Sequence, residues 1–220
     1  GSHMDYVLEE SKPAETINSG YTGIELDFGW VEYDNAFRIA SVMPQSPAAL
    51  AGDKAGEFIN AINGQKVSRT EDFEKLLAGQ VGKRVTLSLG ATANSSDRDV
   101  DVKPIANTQM QNLRYQNWVE TRRQLVDSLS NGRIAYLHVR AMNQTALQLF
   151  KEQLVSIAES KDAMIVDVRE NAGGSIAVHL LGMLDRTPWL LRRFRDFPLV
   201  SENKYRSKAF ERPQACLING

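Results

Sequence analysis

Short runs of alternating apolar and polar residues fill the first half of the chain, and longer helical periods fill the second. Ile24-Glu25-Leu26-Asp27-Phe28 alternates, as a half-buried strand does, and Phe37 to Val42 alternates again. Pro44-Gln45-Ser46-Pro47-Ala48-Ala49-Leu50-Ala51-Gly52 reads as a turn followed by a short helix. Phe58 to Ile62 is a strand, and Asn63-Gly64 after it is a strong hairpin-turn signal. Arg69 to Leu77 has helical spacing, with Thr70 as candidate cap and Phe73, Leu76 and Leu77 on one apolar face. Val85 to Leu89 and Asp99 to Lys103 are further strands, separated by the polar loop Asn94 to Arg98.

From Asn107 the period lengthens. Leu113, Trp118, Val119, Leu125, Val126 and Leu129 predict a long amphipathic helix with Arg122 and Arg123 outward, ended by Asn131-Gly132. Arg133 to Val139 is a strand. Thr145 to Ser160 is a helix with Leu147, Phe150, Leu154 and Ile157 on one face. A buried strand over 164–168 runs into Gly173-Gly174. Ile176, Leu180, Met183 and Leu184 then have helical spacing, and a last apolar strand covers 214–218. Strands alternating with helices argue a layered α/β unit. The glycine pair thus sits at a strand-to-helix turn, where the first N–H groups of a helix have no internal partner and can hold an oxyanion or a phosphate. A plain tight turn is the alternative, with Gly chosen for positive φ.

Composition narrows the classes. The chain has 220 residues, 42% hydrophobic and 24% charged, with net charge −1, which is ordinary for a globular protein and gives no pull toward nucleic acid. Gly1-Ser2-His3-Met4 reads as an expression scar, and residues 5–19 as a linker or the end of a preceding segment. The basic cluster Arg192-Arg193-Phe194-Arg195, between Trp189 and Phe197, reads as a surface segment. No apolar run approaches the ~20 residues of a membrane span. The one cysteine, Cys216, excludes an internal disulfide and reads as a buried, inert thiol in its apolar run. No Cys or His spacing suits a metal, and no metal or cofactor is expected. Low cysteine usage fits a cytoplasmic and a periplasmic location equally.

Residues 20–104 resemble a PDZ domain. The carriers are Gly20-Tyr21-Thr22-Gly23-Ile24, Ser46-Pro47-Ala48-Ala49-Leu50-Ala51-Gly52 and Ala61-Ile62-Asn63-Gly64-Gln65-Lys66-Val67. Two departures are Gly56-Glu57-Phe58, where Gly-Asp and an aliphatic residue are usual, and Asp53, where Leu is common. In such a site a peptide adds as a strand to a sheet edge, and its terminal carboxylate meets backbone N–H groups of a loop. Tyr21, Thr22, Gly23 and Ile24 fit the loop. Leu26, with Phe73, Leu76 and Leu77, would line the pocket for the last side chain; the alternative is that these are core residues.

Residues 20–220 together resemble the carboxyl-terminal processing peptidase and tricorn group of serine proteases. The resemblance rests on Leu113-Arg114-Tyr115-Gln116-Asn117-Trp118-Val119-Glu120, Gly132 to Val139, Asp167-Val168-Arg169-Glu170-Asn171-Ala172-Gly173-Gly174 and Leu217-Ile218-Asn219-Gly220; the first two look closer to tricorn-type members. It implies an α+β multidomain chain: a PDZ-like β-sandwich or barrel, then over 105–220 an incomplete α/β layered core of the crotonase-like (ClpP-like) kind. It implies a serine endopeptidase acting on peptides or unfolded polypeptides, with the rest of the parent protease as partner and a homo-oligomer open. Gly173 and Gly174 are the oxyanion-hole candidates, with Ala172 standing where the family often has another glycine or a proline. The nucleophilic serine would follow Gly220 and the general-base histidine would precede Asp5, so residues 1–220 alone are expected to be inert.

Inside the chain, His138 reads as a structural histidine and His179 lies about one helical turn past the glycines without a matched nucleophile. Ser175 most resembles a helix N-cap, and Asp167 with Arg169 an ion pair or loop brace. The competing functions are a non-catalytic peptide-binding scaffold and, against the PDZ motifs, a crotonase-like acyl-thioester enzyme.

Overall fold

A computed structural model describes residues 19–27, 29–30, 36–67, 70–171, 173–184, 190–193, 195–196, 198, 200–202, 210 and 212–219. The chain divides into two compact units after Asn117, within one long helix.

The first unit is built on strands. β1 (Ile24–Leu26) pairs antiparallel with β2 (Ile39–Val42), Ile24 opposite Val42. β3 (Phe58–Ile62), β4 (Gln65–Lys66), β5 (Val85–Gly90) and β6 (Arg98–Val102) form an antiparallel sheet in the order β4-β3-β5-β6. The alternation of β5 explains its place: Val85, Leu87 and Leu89 are fully buried while Thr86 and Ser88 turn to Asp101 and Asp99 on β6. Phe37, Ile39, Ile59 and Ile62 complete this core. Helix α1 (Pro47–Ala51) starts where its sequence says it should. Ser46 accepts from the Ala49 N–H at 3.2 Å, and Pro47 fills the first turn, where a missing N–H costs nothing. Helix α2 (Thr70–Leu77) follows; its expected start at Arg69 and the Thr70 side chain lie outside the described residues.

Helix α3 (Asn107–Leu129) begins in the first unit and continues into the second. It is long, as its spacing predicts, but its apolar positions do not form one buried stripe. Only Met110 is buried; Leu125 and Leu129 are 56% and 78% exposed. Arg122 and Arg123 are half-buried rather than outward. Arg122 sits over the Trp118 ring, its Cζ 3.7 Å from the centroid, and Arg123 pairs with Glu120 at 3.0 Å. Guanidinium groups on aromatic or carboxylate neighbours bury their stems, which a count of charged positions does not reveal.

The second unit holds a parallel sheet in the order β11-β8-β7, from β7 (Ile134–His138), β8 (Ala163–Asp167) and β11 (Gln214–Leu217). Helix α4 (Gln144–Gln153) is capped by Asn143 and runs on as a π-helical turn over Leu154–Ala158. It packs Leu147, Phe150 and Leu154 onto Leu137, Met164 and Val166 of the sheet. Helix α5 (Ala177–Leu184) adds Leu180 and Met183, with Ile176 before it, as the spacing predicts. Strands β9 (Leu190–Arg192) and β10 (Val200–Glu202) form a separate antiparallel pair. Of the basic cluster, Arg193 and Arg195 are exposed; Trp189, Phe194 and Phe197 lie outside the described residues.

Two expectations fail on β11. It is an edge strand, and Ala215, Cys216, Leu217 and Ile218 are exposed, so the apolar run is not buried here and Cys216 is an exposed thiol. Periodicity reports that a strand wants apolar cover but not which part of the chain supplies it. No helix among the described residues is long and apolar enough to cross a membrane.

Candidate functional site

Two places carry chemistry, one in each unit. The first is a cavity of about 910 Å³ between β1 and α2, wholly within the first unit. Tyr21, Thr22, Gly23, Ile24 and Leu26 line it on one side and Phe73 and Leu77 on the other, so seven of the eight residues expected at a peptide groove meet here. Leu76 does not line it. It packs instead against the core of the sheet, one position round the helix from Leu77.

The loop before β1 is fastened from several directions. Tyr21 exchanges both backbone hydrogen bonds with Ile105 at 2.9 Å, the Gly20 N–H donates to Leu77 O at 2.9 Å, and the Ala48 N–H donates to Thr22 O at 3.0 Å. Gly23 has φ +86, and any Cβ there would overlap the Ser46 side chain. Only glycine permits this backbone to pass so close to α1. β1 is paired with β2 along one edge, and among the described residues its second edge has no strand partner.

Two lining residues come from α3, beyond the PDZ-like stretch 20–104: Met110, 1% exposed, and Arg114. The Tyr21–Ile105 bridge brings the start of α3 to the loop, and that pairing of residues far apart in the chain has no local sequence signal.

The second place is the end of β8. Asp167 is fully buried. Its carboxylate accepts from Tyr136 Oη at 2.6 Å, from Arg169 Nη2 at 2.6 Å and Nε at 2.9 Å, and from the Arg169 N–H at 3.0 Å. Burial pushes this carboxyl up, but the bonds from Arg169 and Tyr136 outweigh it and hold Asp167 well below the usual carboxylate range. Burial first, and then the bond to Asp167, push the Tyr136 hydroxyl far up, and Asp167 raises Arg169. The expected ion pair is therefore present, with Tyr136 as a third member. His138 is 8% exposed, its ring edge-on to Trp118 at 4.9 Å and its Nε2 3.0 Å from Arg169 O, a structural placement.

From this braced strand end the chain turns back on itself. Glu170 has φ +59, and its N–H donates to Asn219 Oδ1 at 3.2 Å. Asn171 clamps the turn: its Nδ2 donates to Val139 O at 2.6 Å and its Oδ1 accepts the Gly173 N–H at 2.7 Å. Gly174 forms a parallel bridge with Met142, through Met142 N–H to Gly173 O at 3.2 Å and Ser175 N–H to Met142 O at 3.0 Å. Gly174 has φ +140, and a Cβ would run into the Met142 carbonyl, so no other residue fits without a shift. These bonds use the Gly173 N–H and leave the Gly174 N–H, on an exposed residue, unused among the described residues. Ser175 is not the helix cap: α5 begins at Ala177, and Leu180 N–H donates to Ile176 O, which puts Ile176 at the cap position. Ala172 lies outside the described residues, and His179 is exposed on α5. Asn171 and Tyr136 are the members that sequence reasoning missed. Only the side-chain amide two residues before Gly173 hinted at the former, as an Asx-type turn.

Comparison with known proteins agrees with both halves. Residues 38–89 match the PDZ domain family and residues 133–220 match Peptidase family S41. The chain is 36% identical over 185 residues to tricorn protease homolog 1 of Streptomyces coelicolor, covering 79% of this chain and 17% of that protein. It is 30% identical over 129 residues to the tricorn protease of Thermoplasma volcanium, covering 59% of this chain and 12% of that one. The chain thus spans less than a fifth of the length of these two relatives. Among solved structures, a tricorn protease superposes with TM-score 0.67 at 22% identity, over 92% of this chain and 20% of that one, a likeness of fold. The two family matches, the tricorn relatives and the fold make this chain a member of the tricorn-like group of peptidase family S41, carrying a PDZ domain and part of the protease core.

Proposed function

We propose that this chain is the peptide-engaging and oxyanion-binding part of a serine endopeptidase. The observation that carries the reading is the turn at Gly173-Gly174. One N–H of the pair is held by Asn171, and the other, on Gly174, is exposed and unused among the described residues. A backbone N–H fixed in this way needs no reorganisation when negative charge develops on a carbonyl oxygen, which is what makes such donors effective. Gly174 is then the oxyanion donor and Gly173 its support. The serine that attacks the peptide carbonyl and the histidine that takes its proton come from outside residues 1–220, so these residues alone are inert. The groove between β1 and α2 receives peptide as an added strand and presents or positions it. The relatives named as tricorn proteases support this reading.

Hydrolysis of a fluorogenic peptide by the full-length parent tests it. Gly174→Ala keeps the N–H, but its Cβ forces the turn away from Met142 O and moves the donor off line, so kcat is expected to fall by about 10²–10³-fold with KM little changed. Gly173→Ala, whose Cβ would meet nothing within 4 Å, carries only the strain of a φ of +85 and is expected to cost less. A Gly174→Ala parent with undiminished kcat would remove the oxyanion role. A folded parent that cleaves no peptide would favour the non-catalytic scaffold instead.

A further inference from the structure

The groove in the first unit contains more than its motifs predict. Met110 and Arg114 stand four residues apart on α3, hence on one face one turn apart, and both line the cavity. Met110 is 1% exposed and reaches the loop, its Cε 3.6 Å from where a Gly23 Cβ would sit. Arg114 is exposed and is the one cation among the described lining residues. It has no ion pair among the described residues. The carboxylates on the lining are Glu25, which accepts from Ser41 Oγ at 2.6 Å, and Glu74 of α2. Ile24, Leu26, Phe73, Leu77 and Met110 make the rest of the lining mostly apolar.

We infer that α3 completes the groove and adds two specificity-determining residues to it, Arg114 pairing with the terminal carboxylate of a bound peptide and Met110 limiting the size of its last side chain. The inference rests on the peptide-groove reading above. The Tyr21 N–H is taken by Ile105 O, so the loop has one donor fewer for a carboxylate than its length suggests. A guanidinium can make up that loss, since it offers paired donors matched to a carboxylate. A cation and a strand edge that are both without partners among the described residues, beside an apolar cavity, are complementary to a chain end, where one negative charge terminates an extended backbone. An internal segment of polypeptide lacks that charge and gains nothing from Arg114.

The test uses two amino-terminally fluorescein-labelled synthetic peptides of one uncharged sequence ending in Val, one with a free carboxyl and one amidated. Fluorescence anisotropy is read with the 220-residue chain. The free acid is expected to bind about tenfold tighter than the amide. Arg114→Gln is expected to reduce that preference about three- to tenfold, with Arg114→Lys restoring part of it and higher salt eroding it in the wild type. Arg114 is exposed, so its replacement leaves the core intact. Met110→Ala is read as a ratio, binding of a Phe-ended over an Ala-ended peptide, because a ratio does not depend on the fraction folded. The ratio is expected to rise severalfold. An acid preference unchanged in Arg114→Gln, or a Phe/Ala ratio unchanged in Met110→Ala, would overturn the part of the inference concerned while the groove reading stood. Binding of neither peptide by the wild-type chain would overturn the groove reading and this inference with it.

Discussion

Asp53 shows how one residue can run against its own fold. Its side chain is fully buried, neither oxygen accepts a hydrogen bond among the described residues, and its nearest cation, Arg98 Nη2, is 3.9 Å away. That guanidinium is already committed to Glu57, at 2.7 and 3.0 Å, and to Gly52 O at 3.1 Å. The two departures from the PDZ pattern, Asp53 and Glu57, therefore meet at one arginine. Burial, only partly offset by Arg98, pushes Asp53 from 3.8 up to about 6, while Arg98 holds Glu57 low. A carboxyl whose pKa is raised by folding binds more protons in the native state. Its effect on stability is most favourable below the unfolded value and becomes a penalty of about 3 kcal/mol as pH rises past the folded one. Asp53→Asn is expected to stabilise the chain by about 1–2 kcal/mol at pH 8, less than the whole penalty because the amide is also left without partners. At pH 4.5 little gain is expected. Urea unfolding at the two pH values checks this, and an equal gain at both would show that charge is not the cause.

At the scale of elements, the end of β8 is a brace, and β11 is the contrast to it. The Asp167–Arg169 pair was legible because alternation puts the two residues two apart at a strand end. Tyr136 was not, because the pairing of β7 with β8, His138 opposite Asp167, sets which side chains share a face, and no local pattern carries that register. Tyr136→Phe keeps the ring and deletes one bond to a buried carboxylate, so a loss of about 1–2 kcal/mol is expected. The sign with pH is opposite to that of Asp53. Asp167 is depressed by folding, so its contribution is present above about pH 4 and lost as pH falls below it. Tyr136→Phe is therefore expected to make acid unfolding begin at a higher pH, as far-UV circular dichroism would record. An unchanged acid midpoint would mean that Arg169 alone holds the carboxylate. β11 had the composition of a buried strand, yet its apolar residues are exposed, because composition states what a strand needs and cannot name its cover.

Across the whole chain, much of the architecture was legible. The Asn63-Gly64 hairpin, the Ser46 cap, the α2 face and the strand–turn–helix around the glycines all arise from contacts within a few residues, which sequence reports well. The groove was legible as far as its motifs reach. Its α3 wall was not, because Tyr21 and Ile105 are 84 positions apart and only the folded backbone joins them. At the second site the glycines were visible, but which N–H is engaged depended on Asn171, whose side chain is held by Val139 O just past the end of β7. The central claim is that this chain supplies the oxyanion turn and peptide groove to a serine nucleophile carried elsewhere in its parent. The most direct measurement is to treat the full-length parent and the 220-residue chain with a fluorophosphonate and to map the adduct by mass spectrometry. The account predicts a single modified serine in the parent, outside residues 1–220, and none in the shorter chain. A modified serine within residues 1–220, or a folded parent with no adduct at all, would contradict it.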